Sequence, residues 1–459
     1  MPPVKLTPEI LAKYDVAGPR YTSYPTAPEW KDEVKEKEYH KHLEKCGQND
    51  KPLSLYFHIP FCVSLCYYCG CNMAIRKRWP KYGDEYLNAL FKEMDQVSKH
   101  LGAKKRSSQL HLGGGTPTFL DNTQLQALYE KCDQYFDIDP NGEIAVEIEP
   151  RNADPEQIRL LRKLGFNRIS MGVQDFDPKV QEAVNRVNTY EEIKDLMALC
   201  RELDFKSVNI DLIYGLPYQT KESFALTAEK MNELKPDRIA MYSFAHIPWV
   251  KKHQKRIPTE ALPSPEHKVQ IFLEATRILS EGSFQAIAMD HFALKEDEMA
   301  LAYSEGKLNR NFMGYTLLPA DNFLGFGASS IGYIEGGYFQ NHKDLPEYYN
   351  HINSNKMPLD KMCILNKDDL LRREIINTLM CRFELDIESF EKEHGISFTK
   401  TFAFEQAHLK HCAEDGLLKK DNTKLIVTDL GRLFLRNIAM GFDTYLRKKD
   451  GFQRFSRII

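Results

Sequence analysis

The chain has 459 residues, 42% hydrophobic and 28% charged, with a formal net charge of −3. It can bury a sizeable core, which excludes an intrinsically disordered chain, and it has no global charge to draw it to nucleic acid or an anionic membrane. The opening Met1-Pro-Pro-Val-Lys-Leu-Thr7 lacks the order of a signal peptide, and no apolar run approaches the ~18 residues of a membrane helix, so a cytoplasmic protein is expected.

Residues 1–50 read as an N-terminal arm. Within it Gly18-Pro-Arg-Tyr-Thr-Ser-Tyr-Pro-Thr26 is rich in proline and aromatics and has no helical period, so an extended segment laid over the rest is expected. Arg20, Tyr21 and Tyr24 would let it cover a flat anionic substrate. The tail at Arg454–Arg457 reads as a solvated terminus.

From 51 to 285 short apolar runs alternate with amphipathic stretches. Strands are predicted at 53–60, 109–112, 143–149, 168–173, 208–214 and 238–245. Helices are predicted at 82–100, 123–135, 155–164, 190–203, 221–234 and 265–281, with Asp121 or Asn122, Asp154 and Thr220 as N-caps. Six βα units in series imply parallel strands and a partial (βα)6 barrel of the α/β class, with ligands at the C-terminal ends of the strands.

The residues with chemistry fall at those ends. After the first strand come Cys62, Cys66, Cys69 and Cys71, spaced C-x3-C-x2-C-x-C. Four thiols on one loop are a soft-metal site, with iron–sulfur as the leading occupant and structural zinc as the alternative. The other six cysteines are scattered, as buried hydrophobes would be, and form no disulfide framework. After the second strand Gly113-Gly-Gly-Thr-Pro117 allows close approach of backbone to a ligand. Glu147 ends the third strand and can accept hydrogen bonds from hydroxyls or an ammonium, and Glu149 follows it before a proline. Gln174 follows the fourth strand. Asp211, inside an apolar run, requires a partner such as Arg186 or a cationic ligand.

Residues 286–365 hold short segments that extend and connect the barrel. Gly325-Phe-Gly-Ala-Ser-Ser330 has no surrounding dinucleotide-binding pattern, so a Rossmann reading fails. Residues 366–459 turn helical, with helices predicted at 368–381, 387–394 and 398–414 and a hairpin at 417–427. That is the winged-helix order, but the charges are mixed, so a structural or lid role is expected rather than nucleic-acid binding.

The first three cysteines, spaced three then two, are the signature of radical S-adenosylmethionine (SAM) enzymes. Together with Gly18–Thr26, Leu-Tyr-Phe-His-Ile-Pro-Phe-Cys62, Ser-Met-Gly-Val-Gln174-Asp-Phe, Asn-Ile-Asp211-Leu-Ile-Tyr-Gly and Phe-Asp-Thr-Tyr-Leu-Arg, the chain closely resembles the oxygen-independent coproporphyrinogen III oxidases over almost its whole length.

That resemblance implies a [4Fe–4S] cluster on Cys62, Cys66 and Cys69, with Cys71 a nearby non-ligand. It implies two SAM molecules. Tyr56, Gly114, Glu147, Ala245 and Ile331 would surround the cluster-bound one, and Tyr68, Gly115, Thr116, Gln174, Arg186 and Asp211 the second. Tyr68 stands where the family often has Phe. Met313 stands where a Gln is usual, which removes a polar contact near the second site. The implied reaction converts two propionates of coproporphyrinogen III to vinyl groups with loss of CO2, through 5′-deoxyadenosyl radicals. Also implied are a low-potential electron donor such as a flavodoxin or ferredoxin, a monomer, and no membrane or nucleic-acid partner. A radical SAM methyltransferase would add mass where this enzyme removes it. A haem-trafficking relative would typically lack Cys71 and the arm.

Overall fold

The computed structural model describes residues 7–318, 320–448 and 455–458. Six strands, β1 (Leu53–Ile59), β2 (Lys105–Gly114), β3 (Phe136–Ile148), β4 (Arg168–Gln174), β5 (Ser207–Tyr214) and β6 (Arg238–Ser243), pair in parallel in that order. The helices between and after them are α1 (Pro80–Leu101), α2 (Asn122–Tyr135), α3 (Pro155–Lys163), α4 (Tyr190–Glu202), α5 (Lys221–Leu234) and α6 (Pro265–Glu281). Asp121, Asp154 and Thr220 cap α2, α3 and α5, each accepting a backbone N–H of the first turn. β2 starts four residues earlier than its apolar run, because polar Lys105–Ser107 pair with the start of β3.

The faces of these strands explain the architecture. Leu110, Leu112, Ile144, Val146, Ile169, Met171, Val208, Ile210, Ile239 and Met241 are buried in the main core. The alternate positions carry His111, Glu143, Glu147, Arg168, Ser170, Asn209, Asp211 and Tyr242, which line a lumen. Closed (βα)8 barrels usually fill that space with branched apolar side chains. A polar lumen instead leaves room for a ligand. Ion pairs floor it: Arg168 reaches Glu298 at 3.0 Å and Glu143 at 3.5 Å, and Arg238 reaches Asp297 at 2.9 Å.

The sheet then widens with β7 (Phe284–Ile287), β8 (His291–Leu294), β9 (Asn322–Phe326), β10 (Ile331–Ile334), β11 (Gly337–Asn341) and β12 (Leu359–Ile364). The order across its twelve strands is β12-β11-β10-β9-β1-β2-β3-β4-β5-β6-β8-β7. β9 joins β1 in parallel, Leu53 opposite Asn322 and Tyr56 opposite Gly325, and the strands beyond it are antiparallel. Both barrel edges are thereby covered.

Glu93 of α1 ties this extension down. It is 1% exposed and accepts hydrogen bonds from Tyr348 Oη (2.6 Å), Asn341 Nδ2 (2.6 Å) and Gly327 N (2.9 Å). Burial, opposed by those bonds, pushes its carboxyl up to about 7. Between its ordinary value and about 7 the folded chain holds a proton that the unfolded chain releases, so this group lowers stability as pH rises across that window. Glu93→Gln is expected to remove the slope. It is also expected to cost about 1–3 kcal/mol at pH 5, because an amide N–H then faces other donors. Urea unfolding at pH 5 and pH 8 measures both effects.

The C-terminal helices include Lys367–Arg382, Ile387–His394 and Glu405–Glu414, then the short Asp429–Leu433 and Leu435–Met440, with a three-stranded sheet of Glu384–Asp386, Leu418–Lys420 and Lys424–Val427. The helix predicted at 398–414 is broken: Phe398–Thr401 forms one turn, and Phe402 leaves the helical path to fill the second core.

That second core includes Tyr14, Tyr21 and Tyr24 of the arm. Gly18–Thr26 is non-helical, as its composition predicts, but it is not extended throughout: Tyr21 has φ of +48° and residues 22–25 bend, and helices Pro8–Tyr14 and Glu36–Gly47 flank the segment. Tyr21 Oη donates to Asp443 at 3.1 Å and Tyr24 Oη meets Thr444 Oγ1 at 3.1 Å. The tail is not a free terminus, contrary to the expectation for Arg454–Arg457. Arg457 bridges to Ala17 and pairs with Asp15 at 2.7 Å, and Ile458 is 6% exposed. Arg454 lies outside the described residues.

Candidate functional site

The cysteine loop leaves β1 and is fastened on three sides. Gly115 N donates to Ile59 O (2.9 Å), Thr116 N to Phe61 O (2.8 Å) and Tyr67 N to Val184 O (2.9 Å). Cys66 is buried, Cys62 and Cys69 are half-buried, and Cys71 is exposed at the tip. Thr116 Oγ1 lies 3.4 Å from Cys62 Sγ. The guanidiniums of Arg151 and Arg186 lie 3.4 and 3.5 Å from Cys66 Sγ, an electropositive setting for a thiolate. Hydrogen bonding from Cys71, against burial, lowers the Cys69 thiol to about 6. Burial, against the bond from Thr116, pushes the Cys62 thiol up to about 11.

Among the described residues, no three of the loop's thiols lie within 4.8 Å of one another. Tetrahedral zinc thiolates, with Zn–S near 2.3 Å, hold their sulfurs ~3.8 Å apart. Among the described residues, the one group whose ligand atoms all lie within 4.8 Å of one another is Glu374, Glu393 and His394, not the thiols.

The expected binding residues fall into two groups that cut across the two expected SAM sets, Asp211 lining the lumen with Glu147 and Ala245 sharing Gln254 with Tyr68. Glu147 accepts from Gly114 N at 3.2 Å and pairs with His111 Nε2 at 3.0 Å. Burial raises its carboxyl, but the His111 bond and charge and the Gly114 N–H outweigh it and leave it below its ordinary value. Tyr56 stacks on His111 at 5.8 Å and its hydroxyl meets His58 Nδ1 at 3.0 Å. Gly114 has φ of +119°, a region that only glycine enters readily. Asp211 faces the same lumen. Burial first, then the charge of Glu147, pushes its carboxyl up to about 6.

In the second group, Arg186 donates to Gly172 O at 3.0 Å and lies 3.6 Å from Glu149. Gln174 holds φ of +76°, and its buried Oε1 has no hydrogen-bond partner, which leaves an acceptor open. Tyr68 packs beside Val180, Val184 and Phe244, and its carbonyl, like that of Ala245, accepts from Gln254 Nε2 (2.9 and 3.1 Å). Ile331 stands apart from both groups, against Trp30 and Phe323, two strands from Tyr56.

One expected pairing is corrected. Arg186 is not the partner of Asp211. Asp211 accepts from Asn209 Nδ2 (2.8 Å) and Ser170 Oγ (3.2 Å), and Arg186 is spent on Gly172 O, Cys66 and Glu149. His58, His111, Arg151, Ser170 and Asn209 were not singled out in the sequence. For all but Arg151, which lies in the turn after β3, the signal was there, as polar residues every second position in otherwise apolar strands (Ser207, Asn209, Asp211).

Beside the lumen lies a cavity lined by Arg20, Arg310, Arg432 and Arg436 with Tyr214, Tyr242 and Phe272. Met313 and His291 line both spaces, so the two adjoin. Arg20 of the arm donates to Ser243 O at 2.8 Å, at the end of β6. Met313 offers no polar group at that junction.

The radical SAM superfamily model matches residues 56–231 and the HemN C-terminal domain model residues 365–434. The oxygen-independent coproporphyrinogen III oxidase of Escherichia coli is 43% identical over 450 residues, 98% of each chain, and that of Synechocystis is 42% identical over 462 residues, 100% of this chain and 99% of the relative. The solved structure of the Escherichia coli coproporphyrinogen III oxidase, described as a radical SAM enzyme, superposes with a TM-score of 0.89 at 42% identity, covering 93% of this chain and 97% of that one.

Proposed function

The chain belongs to the oxygen-independent coproporphyrinogen III oxidases, radical SAM enzymes of haem biosynthesis, and from that membership we propose how its own residues carry the reaction. The activity is oxidative decarboxylation, and coproporphyrinogen III is the substrate. When bound, the [4Fe–4S] cluster and SAM supply one-electron cleavage and a carbon radical that takes a hydrogen atom from the substrate.

In our reading Cys62, Cys66 and Cys69 hold the cluster, and Arg151 and Arg186 offset the thiolate charge at Cys66. Tyr56, Gly114, Glu147 and Ala245 surround one SAM. Tyr68, Gly115, Thr116, Gln174, Arg186 and Asp211 surround a second. Ile331 acts through the β9–β10 hairpin packed beside β1. Arg20, Arg310 and Arg436 hold propionate carboxylates, and the aromatic walls hold the macrocycle dry and in one orientation. The observation that carries this is an arginine-rich cavity that shares Tyr242, His291 and Met313 with a polar lumen lined by Glu147, the acceptor of the Gly114 N–H in the turn that is bonded to the cysteine loop. A cytoplasmic monomer served by a low-potential donor completes the reading. No described helix is long and apolar enough to cross a membrane.

The test is the product mass after anaerobic cluster reconstitution with coproporphyrinogen III, SAM and dithionite. Protoporphyrinogen IX supports the reading, and SAM cleavage with unchanged tetrapyrrole mass, once an oxidised one-electron acceptor is supplied for the substrate radical, refutes it.

Asp211 gives a finer check. As pH falls through about 6 it becomes neutral, and a ribose hydroxyl or cationic group of SAM loses an anionic acceptor. SAM affinity is therefore expected to drop on acidification below 6. Asp211→Asn should bind SAM on the order of 10-fold more weakly at pH 7.5 and with a flattened pH profile, read by equilibrium dialysis.

A further inference from the structure

Two short segments flank the cysteine loop, and both are strongly basic. Residues 76–81 read Arg-Lys-Arg-Trp-Pro-Lys and residues 249–256 read Trp-Val-Lys-Lys-His-Gln-Lys-Arg, with eight Lys or Arg and no Asp or Glu between them. In a chain of net charge −3 this is a local concentration of positive charge. Each segment also exposes a tryptophan: Trp79 is 48% and Trp249 59% exposed, whereas the third tryptophan, Trp30, is buried. Trp79 stacks on Tyr82 at 6.1 Å, with Lys77 and Lys81 Nζ over its ring at 5.4 and 5.0 Å. Solvated lysines need no such platform, and half-exposed Trp and Tyr set among cations are the residues that anchor protein interfaces.

Both segments are hydrogen-bonded to the cysteine loop itself. Arg76 N donates to Cys62 O at 2.9 Å. Lys251 Nζ donates to Cys71 O at 2.9 Å, and His253 Nε2 meets Cys69 O at 2.8 Å. The exposed tip, Gly70-Cys71, belongs to the same loop. Neither the lumen nor the arginine-lined cavity draws a residue from these segments, so substrate binding does not account for them.

We propose that this basic, tryptophan-bearing collar is the docking surface for a small acidic one-electron carrier protein that reduces the group held by the cysteine loop. In each encounter the carrier is oxidised by one electron and the loop's cluster is reduced by one, with no bond or proton exchanged. The inference rests on the reading that this loop carries the cluster. Redox encounters of this kind are small and transient, so long-range charge complementarity rather than buried area sets their rate. A collar bonded to the backbone of Cys62, Cys69 and Cys71 brings the carrier to the thiols without opening the substrate cavity.

The test compares the full-length protein with K77E/K81E/K252E/K255E. With flavodoxin reduced by NADPH and its reductase, at low salt, the variant's turnover is expected to fall on the order of 10-fold or more. Its dithionite-driven turnover stays at the wild-type level. Wild-type turnover with flavodoxin falls with added salt while the variant's does not. A second readout needs no cluster: calorimetric titration of oxidised flavodoxin into the apoprotein should give a Kd raised at least about 10-fold in the variant and restored in K77R/K81R/K252R/K255R. Unchanged flavodoxin affinity and turnover in the charge-reversed variant overturns the proposal, as does tighter binding of a single-stranded RNA oligomer than of flavodoxin to the wild-type collar. If the fourfold variant loses dithionite-driven turnover, K252E/K255E carries the same comparison. Absence of dithionite-driven decarboxylation in the wild type would count against the proposed activity and leave the binding comparison intact.

Discussion

Serine in place of Cys62, Cys66 or Cys69 is expected to abolish decarboxylation, with a loss of at least about 10³-fold, whereas Cys71→Ser should keep its iron and its SAM binding. Each of the first three thiols has a distinct setting: Thr116 beside Cys62, two guanidiniums beside Cys66, and the hydrogen bond from Cys71 that holds Cys69 low. A serine hydroxyl is a poor ligand for a soft cluster, so none of the three is replaceable. Cys71 is exposed and gives Cys69 hydrogen bonds from its thiol and from its backbone N–H (3.4 Å), and a serine hydroxyl keeps the side-chain donor, so its sulfur is expected to be dispensable for holding the cluster. Iron and sulfide analysis after anaerobic reconstitution, with the absorbance near 400 nm, separates the two outcomes on the order of one experiment. A Cys71→Ser protein without iron beside a Cys69→Ser protein with it would reverse the ligand assignment.

Gly115→Ala should lose on the order of 10²-fold in activity while the protein stays folded. A Cβ at Gly115 would stand 2.8 Å from Phe61 O and 3.1 Å from Cys62 Sγ. The first is backbone and cannot swing aside, so the loop must move, taking the thiol with it. Displacement by a fraction of an ångström at a reacting group costs rate far more than it costs stability. An unchanged melting temperature, with a weakened SAM Kd and altered electron paramagnetic resonance of the reduced cluster, would show this. Wild-type activity would mean that Gly115 serves only the turn.

Much of this arrangement was legible in the chain. The six strands could be read because their helix-facing residues, such as Ile210 and Met241, are apolar and the N-caps at Asp121, Asp154 and Thr220 are explicit. The cysteine loop and the Gly113–Pro117 turn could be read from composition alone. The lumen was legible only in part. His111, Ser170 and Asn209 hold Glu147 and Asp211, yet each is an ordinary polar residue until the strands are set in register. The Asp211–Arg186 pairing failed for the same reason: opposite charge says which residues can pair, and only the bulge between Gly172 and Gln174 says which one Arg186 reaches. The docking of the tail against the arm was illegible, since it joins Asp15 to Arg457 across nearly the whole sequence.

That last contact, with the pairing of β1 and β9, bears on how the molecule is made. Leu53 leaves the ribosome 269 residues before Asn322, the residue it must face, and Ala17 waits for Arg457. A nascent chain therefore carries an open strand edge beside its cysteine loop for most of its synthesis, and the arm can seat only after the final residues emerge. The barrel must assemble as an open bowl first and be covered last. The lumen is therefore among the last parts of the molecule to be closed off from bulk water.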